Sequence, residues 1–585
     1  MKLSKRTTLW LLVMIIFINI VIRYPRIPHE IGADSFLIHS YSNTIMELGQ
    51  MPWIRHPMSY LGLYPNSYPM AGPVLLATFS GLSGINMETT ILLVSGFLGL
   101  FGCLGAFMLA GSVIQDDRFK LLVAFGYSTS PLLLKYTMWT FSTRVMLFAF
   151  LPLFLWAVLS KLDEIPENKV GHYVIAGSFL LAIATSHRLF WMALFFALIM
   201  IYFNMLMRRE KLRALFYLPK KIKITILRIF LFCFLLVSGL LAAMIMIPSI
   251  RNISVVNSLV SLNPLIFFLV MIGTILGLML VYVVRREYKL RRVAGIGIAG
   301  ALLSVFLIQY TVLAQYRSSW YIRQIAPGFV DISSMLGEIV ALGVVLGARY
   351  GLLLIPAFFG LVYVLVVKRV EAKTICIVAA LTIFIPFLHY AMYFHESMFV
   401  LFILIAGIFL LTFLEDHNNL FAHKKIIFGI FKQRGYVVVI LFLCGTLVFS
   451  AYTTIYRTSN IDEDTGFGNV MTADTYNAGL YSDTMNFNIT GGSYINRVIS
   501  ISGQNNNLAY SVIVWERRAE FPSLSDIHGW YVFLKQPYGT AEVYIPPADW
   551  PVHVIPSGTT SEYKNVRYIL FRSSDTSLVS VTEGW

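Results

Sequence analysis

Residues 5–53 read KRTTLWLLVMIIFINIVIRYPRIPHEIGADSFLIHSYSNTIMELGQMPW, an apolar run followed by a polar loop. The run at 9–22 follows basic residues and approaches the ~20 residues that a helix needs to cross a bilayer. The residues after it, Arg23-Tyr24-Pro25-Arg26, lack the small-residue pattern of a signal-peptide cleavage site. We therefore predict a retained membrane anchor and, after it, a long loop at 23–88.

Apolar runs of similar length recur as far as residue 456. Hydrophobic residues make up 57% of the 585-residue chain and charged residues only 13%, which is far from the composition of a soluble globular protein. The sequence therefore predicts a polytopic α-helical membrane domain at 1–456. We predict about thirteen transmembrane helices, at 9–22, 89–112, 121–137, 143–160, 172–187, 189–207, 226–248, 265–284, 293–314, 350–367, 374–391, 398–414 and 436–455.

The basic residues indicate how these helices are oriented. The formal charge is +15, and 27 of the 45 Lys and Arg residues lie in alternate loops between the predicted helices. This is the positive-inside pattern, so the charge encodes topology and does not indicate a nucleic-acid partner. It places the N-terminus in the cytoplasm. Two more apolar stretches, 69–84 and 331–347, fit this topology only if they lie along the outer membrane surface or are re-entrant.

The last 129 residues differ from the rest in amino-acid composition. Segment 457–585 has 13 acidic and 8 basic residues, and its short apolar or alternating runs are separated by Gly, Pro and Asn. Such runs are typical of strands joined by turns. We predict a mainly β soluble domain here, on the extracytoplasmic side of a cell membrane.

The first loop contains the acid of greatest interest. Residues 34–48 place Phe36, Leu37, Tyr41 and Ile45 on one face, as in an amphipathic helix at a membrane interface. Asp34 begins this helix. A carboxylate there suits a general base or a metal ligand, and it equally suits the helix N-cap.

Charged and aromatic residues at the outer ends of other predicted helices are further candidates. Arginine suits bidentate contacts to phosphate, and an aromatic ring suits the face of a sugar. Ionisable groups at membrane depth are functional candidates, although they also serve as interface anchors. The loop 315–338 supplies Arg317, Trp320, Arg323 and Glu338, and the ends of spans supply Arg144, His187, Arg188, His395 and Glu396.

The order of these features resembles the GT-C superfamily of membrane glycosyltransferases. A first span is followed by an outer loop headed by Asp34, a helix ending in ELGQMPW, the Tyr/Pro-rich stretch YLGLYPNSYPMAGP at 60–73, and a further hydrophobic helix. Thirteen spans with an outer C-terminal domain are most similar to the catalytic subunit of oligosaccharyltransferase. The resemblance implies that Asp34 is the catalytic acid and that Glu338 matches a glutamate of that subunit.

The resemblance also implies a function. The expected activity is transfer of a sugar from a polyprenyl-phosphate-linked donor to a protein or glycan acceptor at the extracytoplasmic face. Arg317 and Arg323 would bind the donor phosphate, and Asp34 would be either the general base or a ligand of a divalent metal such as Mg²⁺ or Mn²⁺. The chain departs from the subunit in lacking its Trp-Trp-Asp motif and any acid in the second outer loop, 136–143. The alternative is a lipid-linked sugar flippase or another polytopic transporter, which would place ionisable groups in the middle of its helices.

Overall fold

The structure is a computed structural model. It describes residues 3–49, 69–160, 170–187, 189–208, 346–366, 372–385, 392–414 and 435–459, together with six strands between 489 and 581 and isolated positions between 294 and 343.

The described helices follow the apolar runs closely. They are α1 (Lys5–Arg23), α2 (Ala33–Leu48), α3 (Ala71–Ser83), α4 (Met87–Val113), α5 (Asp117–Ser128), α6 (Pro131–Thr137), α7 (Thr143–Ser160), α8 (Val170–Ser186), α9 (Phe190–Arg208), α10 (Leu354–Val366), α11 (Ala372–Phe384), α12 (Met392–Leu414) and α13 (Gly435–Ser459).

Six helices of the described part are long and apolar enough to cross a membrane. This confirms a helical membrane protein, while the count of thirteen spans stays a prediction because 226–248, 265–284 and most of 293–314 lie outside the described residues. Helix α3 has thirteen residues, fewer than a span requires. The six segments are Lys5–Arg23, Met87–Val113, Thr143–Ser160, Leu346–Leu365, His395–Leu414 and Gly435–Thr453.

The centre of the described bundle is formed by α7 and α12. In the apolar windows of these two helices 72% and 83% of residues are buried, compared with 22% for α1 and for α13. Helix α7 packs against α4 and α8, and α12 packs against α10 and α5. Residues at the ends of α7 and α12 are therefore held by neighbours on several sides.

The predicted span 121–137 is corrected by the structure to two helices. Helix α5 ends at Ser128, and α6 begins at Pro131, whose ring cannot continue the hydrogen-bond ladder. The polar residues at the break, Ser128, Thr129 and Ser130, are all fully buried. An irregular backbone at membrane depth is tolerated when protein groups satisfy it, and here the Ser130 hydroxyl caps α6 by accepting from the Leu133 N–H.

Helix α1 supplies another partner for the break. The Arg23 guanidinium donates to the backbone carbonyl of Ser128 at 2.9 Å and to the Thr137 hydroxyl at 2.9 Å. The carbonyl of Ser128 has lost its helical donor at the break, so Arg23 satisfies it. Asn19, one turn earlier, donates to the Ser128 hydroxyl at 2.9 Å. A Cβ on Gly99 of α4 would lie 2.6 Å from Arg23 Nε, so glycine leaves room for the guanidinium.

Six strands are described beyond residue 459: β1 (Ile489–Gly491), β2 (Tyr531–Lys535), β3 (Thr540–Ala541), β4 (Ile555–Pro556), β5 (Val566–Arg572) and β6 (Thr576–Val581). Four form a sheet in the order β1-β2-β6-β5, in which β1 and β2 are parallel and the other neighbours antiparallel. β3 and β4 form a separate antiparallel pair. The mainly β domain at 457–585 stays a prediction.

The predicted topology has a direct test. A reporter fused after Lys373 is expected in the cytoplasm, and one fused after Arg457 or Trp585 outside, because α11, α12 and α13 lie between the first position and the others. Accessibility to an impermeant labelling reagent in intact cells would measure both. Reporters on the same side would disprove the thirteen-span arrangement.

Candidate active site

The start of α2 is fixed by contacts to the loop between α6 and α7. The backbone N–H of Ile31 donates to the carbonyl of Trp139 at 3.0 Å. Gly32 has a φ of 101°, and a Cβ on it would lie 3.0 Å from the Thr140 hydroxyl oxygen. Only glycine adopts this backbone conformation without strain. The first loop and the loop at 138–142 are thus held against each other.

Gly32, not Asp34, is the N-cap of α2. The N–H groups of Ser35 and Phe36 donate to the Gly32 carbonyl, and Asp34 is the second residue of the helix. The interpretation of Asp34 as the cap is therefore wrong. Its carboxylate lies in the first turn, where the helix dipole favours a negative charge, and the side chain remains available for other contacts.

Asp34 forms an ion pair with Arg144, the second residue of α7. Arg144 Nη1 lies 3.3 Å from Asp34 Oδ2. The side chain of Asp34 is 36% exposed and that of Arg144 is 14% exposed. The carboxylate is accordingly open on one side and bound by a nearly buried cation on the other.

Arg144 also contacts Tyr136 and Glu396. Its Nη1 donates to the Tyr136 hydroxyl at 3.1 Å, and its Nε lies 3.4 Å from Glu396 Oε2. The guanidinium carbon lies 5.4 Å from the centre of the Tyr136 ring, within cation–π range. The orientation of the guanidinium is thereby set by two helices other than its own.

Glu396 is fully buried near the start of α12. Its Oε1 accepts from the Tyr136 hydroxyl at 2.8 Å and lies 3.4 Å from Arg349 Nη1. A carboxylate removed from water needs paired charges and hydrogen bonds of this kind. Lys135 adds a third cation, with its amine 5.2 Å from the centre of the Tyr136 ring. We call Asp34, Arg144, Tyr136, Glu396, Arg349 and Lys135 the Asp34 cluster; it has three cations and two carboxylates.

Buried side chains of the first loop and of the start of α2 support the Asp34 cluster through hydrogen bonds. Glu30 Oε1 lies 2.5 Å from His39 Nδ1, and Glu30 Oε2 accepts from the Ser35 hydroxyl at 2.8 Å. The Ser35 oxygen in turn accepts from the N–H of Phe141 at 2.9 Å. Ser35 follows Asp34 and Phe141 precedes Arg144 by three residues. These bonds therefore position both members of the ion pair.

Glu88, at the N-terminal end of α4, joins the same two loops. Its Oε1 accepts from the backbone N–H of Glu30 at 2.8 Å and lies 3.1 Å from His29 Nδ1. Its backbone carbonyl accepts from the indole N–H of Trp139 at 3.1 Å. The N-terminal ends of α2, α4 and α7 are thus joined by side chains.

Of the other candidate residues, the structure describes two. His187 is buried in the turn between α8 and α9, where its Nδ1 accepts from the Leu189 N–H at 3.0 Å. His395 is buried, and its backbone carbonyl accepts from the Tyr350 hydroxyl. Of His395 and its neighbour Glu396, it is Glu396 that contacts Arg144. The remaining candidates lie outside the described residues and stay predictions: Arg188, Arg317, Trp320, Arg323 and Glu338.

Sequence reasoning missed Arg349 and Tyr136, and it named Glu396 only as one of several candidates at the ends of spans. Arg144 had the clearest signal, an arginine at the second position of an apolar helix. Tyr136 had none, because aromatic residues are common at membrane interfaces.

The divalent metal that the resemblance implies does not fit the described donor set. In the described ranges no three His, Cys, Asp or Glu side chains come together as a metal site would require. Both carboxylates of the Asp34 cluster face guanidinium groups. The guanidinium groups at this site are suited to bind an anionic ligand.

No protein-family model matches the chain, and no curated protein matches it. Among solved structures it is similar to the oligosaccharyltransferase of Archaeoglobus fulgidus tethered to an acceptor peptide with an NVT sequon. The TM-score is 0.46 and the identity 12%, over 86% of this chain and 64% of that one. It is also similar to the archaeal oligosaccharyltransferase AglB of the same organism in complex with an inhibitory peptide and a dolichol-phosphate. There the TM-score is 0.44 and the identity 12%, over 85% of this chain and 64% of that one.

The chain thus spans just under two thirds of the length of both solved structures. They are of the kind that the sequence itself resembles, and the likeness concerns overall architecture.

Proposed function

We propose that this chain is a GT-C-type membrane glycosyltransferase. It would move a sugar from a polyprenyl-phosphate-linked donor to a protein or glycan acceptor at the extracytoplasmic face of a cell membrane. The observation that carries this proposal is the Asp34 carboxylate, open to solvent on one side and fixed by buried groups on the other. A positioned carboxylate of this kind is what a general base on an acceptor requires.

The charge of the Asp34 cluster supports a phosphate-containing donor. Three cations and two carboxylates leave one net positive charge in a largely buried setting. An anionic phosphate would be attracted there, and arginine suits its geometry.

The position of these residues favours an enzyme over a transporter. Asp34 and Arg144 are each the second residue of their helices, and Glu396 is in the first turn and a half of α12. A transport pathway would place ionisable groups in mid-span. A site at helix ends fits chemistry at the membrane surface.

The proposed step transfers one proton and one glycosyl group. The acceptor nucleophile attacks the anomeric carbon of the sugar, and the bond between that carbon and the phosphate oxygen breaks. The acceptor proton passes to the Asp34 carboxylate, and the polyprenyl phosphate leaves with the bonding electron pair. Attack from the side opposite the leaving group inverts the configuration of that carbon.

Other roles in the proposal rest on sequence. Arg317 and Arg323 would bind donor phosphate, while Trp320, Glu338, His187, Arg188 and His395 would line the substrate site. The domain at 457–585 would recognise or position the acceptor.

The proposal is tested by carrier release. Purified protein in nanodiscs would be incubated with a panel of polyprenyl-phosphate- and polyprenyl-pyrophosphate-linked sugars, together with peptide and glycan acceptors. We expect free carrier and glycosylated acceptor, both detected by mass spectrometry, from at least one donor class. Donor movement across proteoliposomes without any carrier release would instead identify a transporter.

A further inference from the structure

The Arg144 guanidinium lies against one oxygen of the Asp34 carboxylate. Its Nη1 is 3.3 Å from Asp34 Oδ2, and its orientation is fixed by the Tyr136 hydroxyl and by Glu396. A cation bound to this Asp34 oxygen would lie beside a fixed positive charge. Like charges at such a distance in a partly buried site repel strongly.

The segment between α6 and α7, which is hydrogen-bonded to the residues before α2, supplies no substitute ligand. Segment 136–143 reads YTMWTFST, and it contains no Asp, Glu, His or Cys. Divalent cations such as Mg²⁺ and Mn²⁺ are held through carboxylate and other oxygen ligands that converge on one point. The nearest other carboxylate of the cluster, Glu396, is fully buried and engaged by Tyr136 and Arg349.

Arginine can stabilise the negative charge of a phosphate in the way that a bound metal ion does. The guanidinium is a planar, permanently charged group with several N–H donors, and it binds phosphate oxygens in pairs. Fixed donors aimed at developing charge stabilise a transition state without reorganisation. Arg144 is oriented by other helices before any donor binds.

We infer that Arg144, in place of a divalent cation, is the electrostatic partner of Asp34 and of the leaving phosphate, so that transfer in this protein is metal-independent. This inference rests on the proposed function. In the resting site the Arg144 guanidinium lies beside the Asp34 carboxylate, on the side opposite its open face. During transfer the same guanidinium neutralises the negative charge that develops on the phosphate oxygen. Tyr136 and Glu396 act as positioning residues for Arg144.

The experiment compares carrier release with and without metal. Wild-type protein is dialysed against EDTA and assayed with and without added Mg²⁺ or Mn²⁺. We expect rates within about twofold of each other. Arg144→Ala should lower the rate by ~10²-fold, the scale of a lost oxyanion-type donor, and added metal should not restore it. Arg144→Lys, which keeps the charge without the planar fork, should retain an intermediate rate.

Arg118→Ala is the matched control, since Arg118 is the second residue of α5, pairs with the N-cap Asp116 at 2.7 Å and lies outside the Asp34 cluster. Its carrier release should equal that of the wild type. The EDTA comparison uses only the wild-type protein, so it stands even if Arg144→Ala fails to fold.

A second measurement, of metal binding, does not depend on catalytic turnover. Mn²⁺ binding, followed by electron paramagnetic resonance, should be the same in the wild type and in Asp34→Asn. Activity lost in EDTA and regained with Mn²⁺, or Mn²⁺ binding that disappears in Asp34→Asn, would overturn the inference and leave the transferase proposal standing. Absence of carrier release from every donor, with and without metal, would overturn the proposed function itself.

Discussion

Asp34→Asn is expected to fold and insert normally while its turnover falls by ~10²-fold or more, the usual scale for loss of a general base. The amide matches the carboxylate in shape but cannot take up the acceptor proton. Because Gly32 and not Asp34 caps α2, the helix keeps its start. The substitution removes a favourable first-turn charge and a half-exposed ion pair, which together contribute about 1 kcal/mol or less. Carrier release at saturating donor, with the melting temperature of the purified protein, measures both effects.

Asp117→Asn is the matched control for this variant. Asp117 is also an acid in the first turn of a helix, and it pairs with Lys120 at 2.7 Å. It lies at the start of α5, outside the Asp34 cluster. The two variants should lose similar small amounts of stability, and only Asp34→Asn should lose turnover. Near-normal turnover in Asp34→Asn would mean that Asp34 is not the catalytic base.

Glu396→Gln is expected to cause the largest loss of stability, about 3–5 kcal/mol, which is typical of breaking a buried ion pair. The glutamine oxygen can still accept from Tyr136, so the hydrogen bond remains while the charge is removed. Arg144 and Arg349 are then left near each other without the carboxylate that lies 3.4 Å from a nitrogen of each. Chemical or thermal unfolding in detergent micelles would measure the difference from the wild type.

Asp117→Asn again serves for comparison, since its partly exposed ion pair with Lys120 is expected to contribute less than about 1 kcal/mol. A cost for Glu396→Gln as small as that of Asp117→Asn would show that Glu396 does not hold the two arginines in the folded protein. Loss of turnover in Glu396→Gln is also expected, because Arg144 loses one of the groups that orient it.

The features that the sequence predicted depend on local patterns. Helix α2 follows from apolar residues at helical spacing, and Phe36, Leu37 and Tyr41 are buried together with the polar Ser35 and His39. The described spans follow from hydropathy, since a membrane leaves the backbone few alternatives. The resemblance and the position of Asp34 came from the order of such local features.

The features that the sequence did not predict depend on contacts between distant residues. Tyr136 and Glu396 are 260 positions apart, and Arg349 and Glu396 are 47 apart. No periodicity within one helix indicates which ends of different helices meet. The sequence left Asp34 open as the cap of α2 for a related reason, because the positive φ of Gly32 accompanies a close approach to Thr140 in another loop.

The hydrogen bonds from Arg23 to the break between α5 and α6 make the first helix a structural part of the bundle as well as a membrane anchor. Most of α1 is exposed at its surface, so by hydropathy alone it resembles a generic leader that any other anchor can replace. Yet Asn19 and Arg23 reach inward to Ser128 and Thr137, and α6 carries Tyr136 and leads into the loop before Arg144. A chimaera with a heterologous signal anchor is expected to reach the membrane and still leave the carbonyl of Ser128 without its Arg23 donor, close to the Asp34 cluster. Expression strategies for this protein should therefore keep residues 19–23 intact.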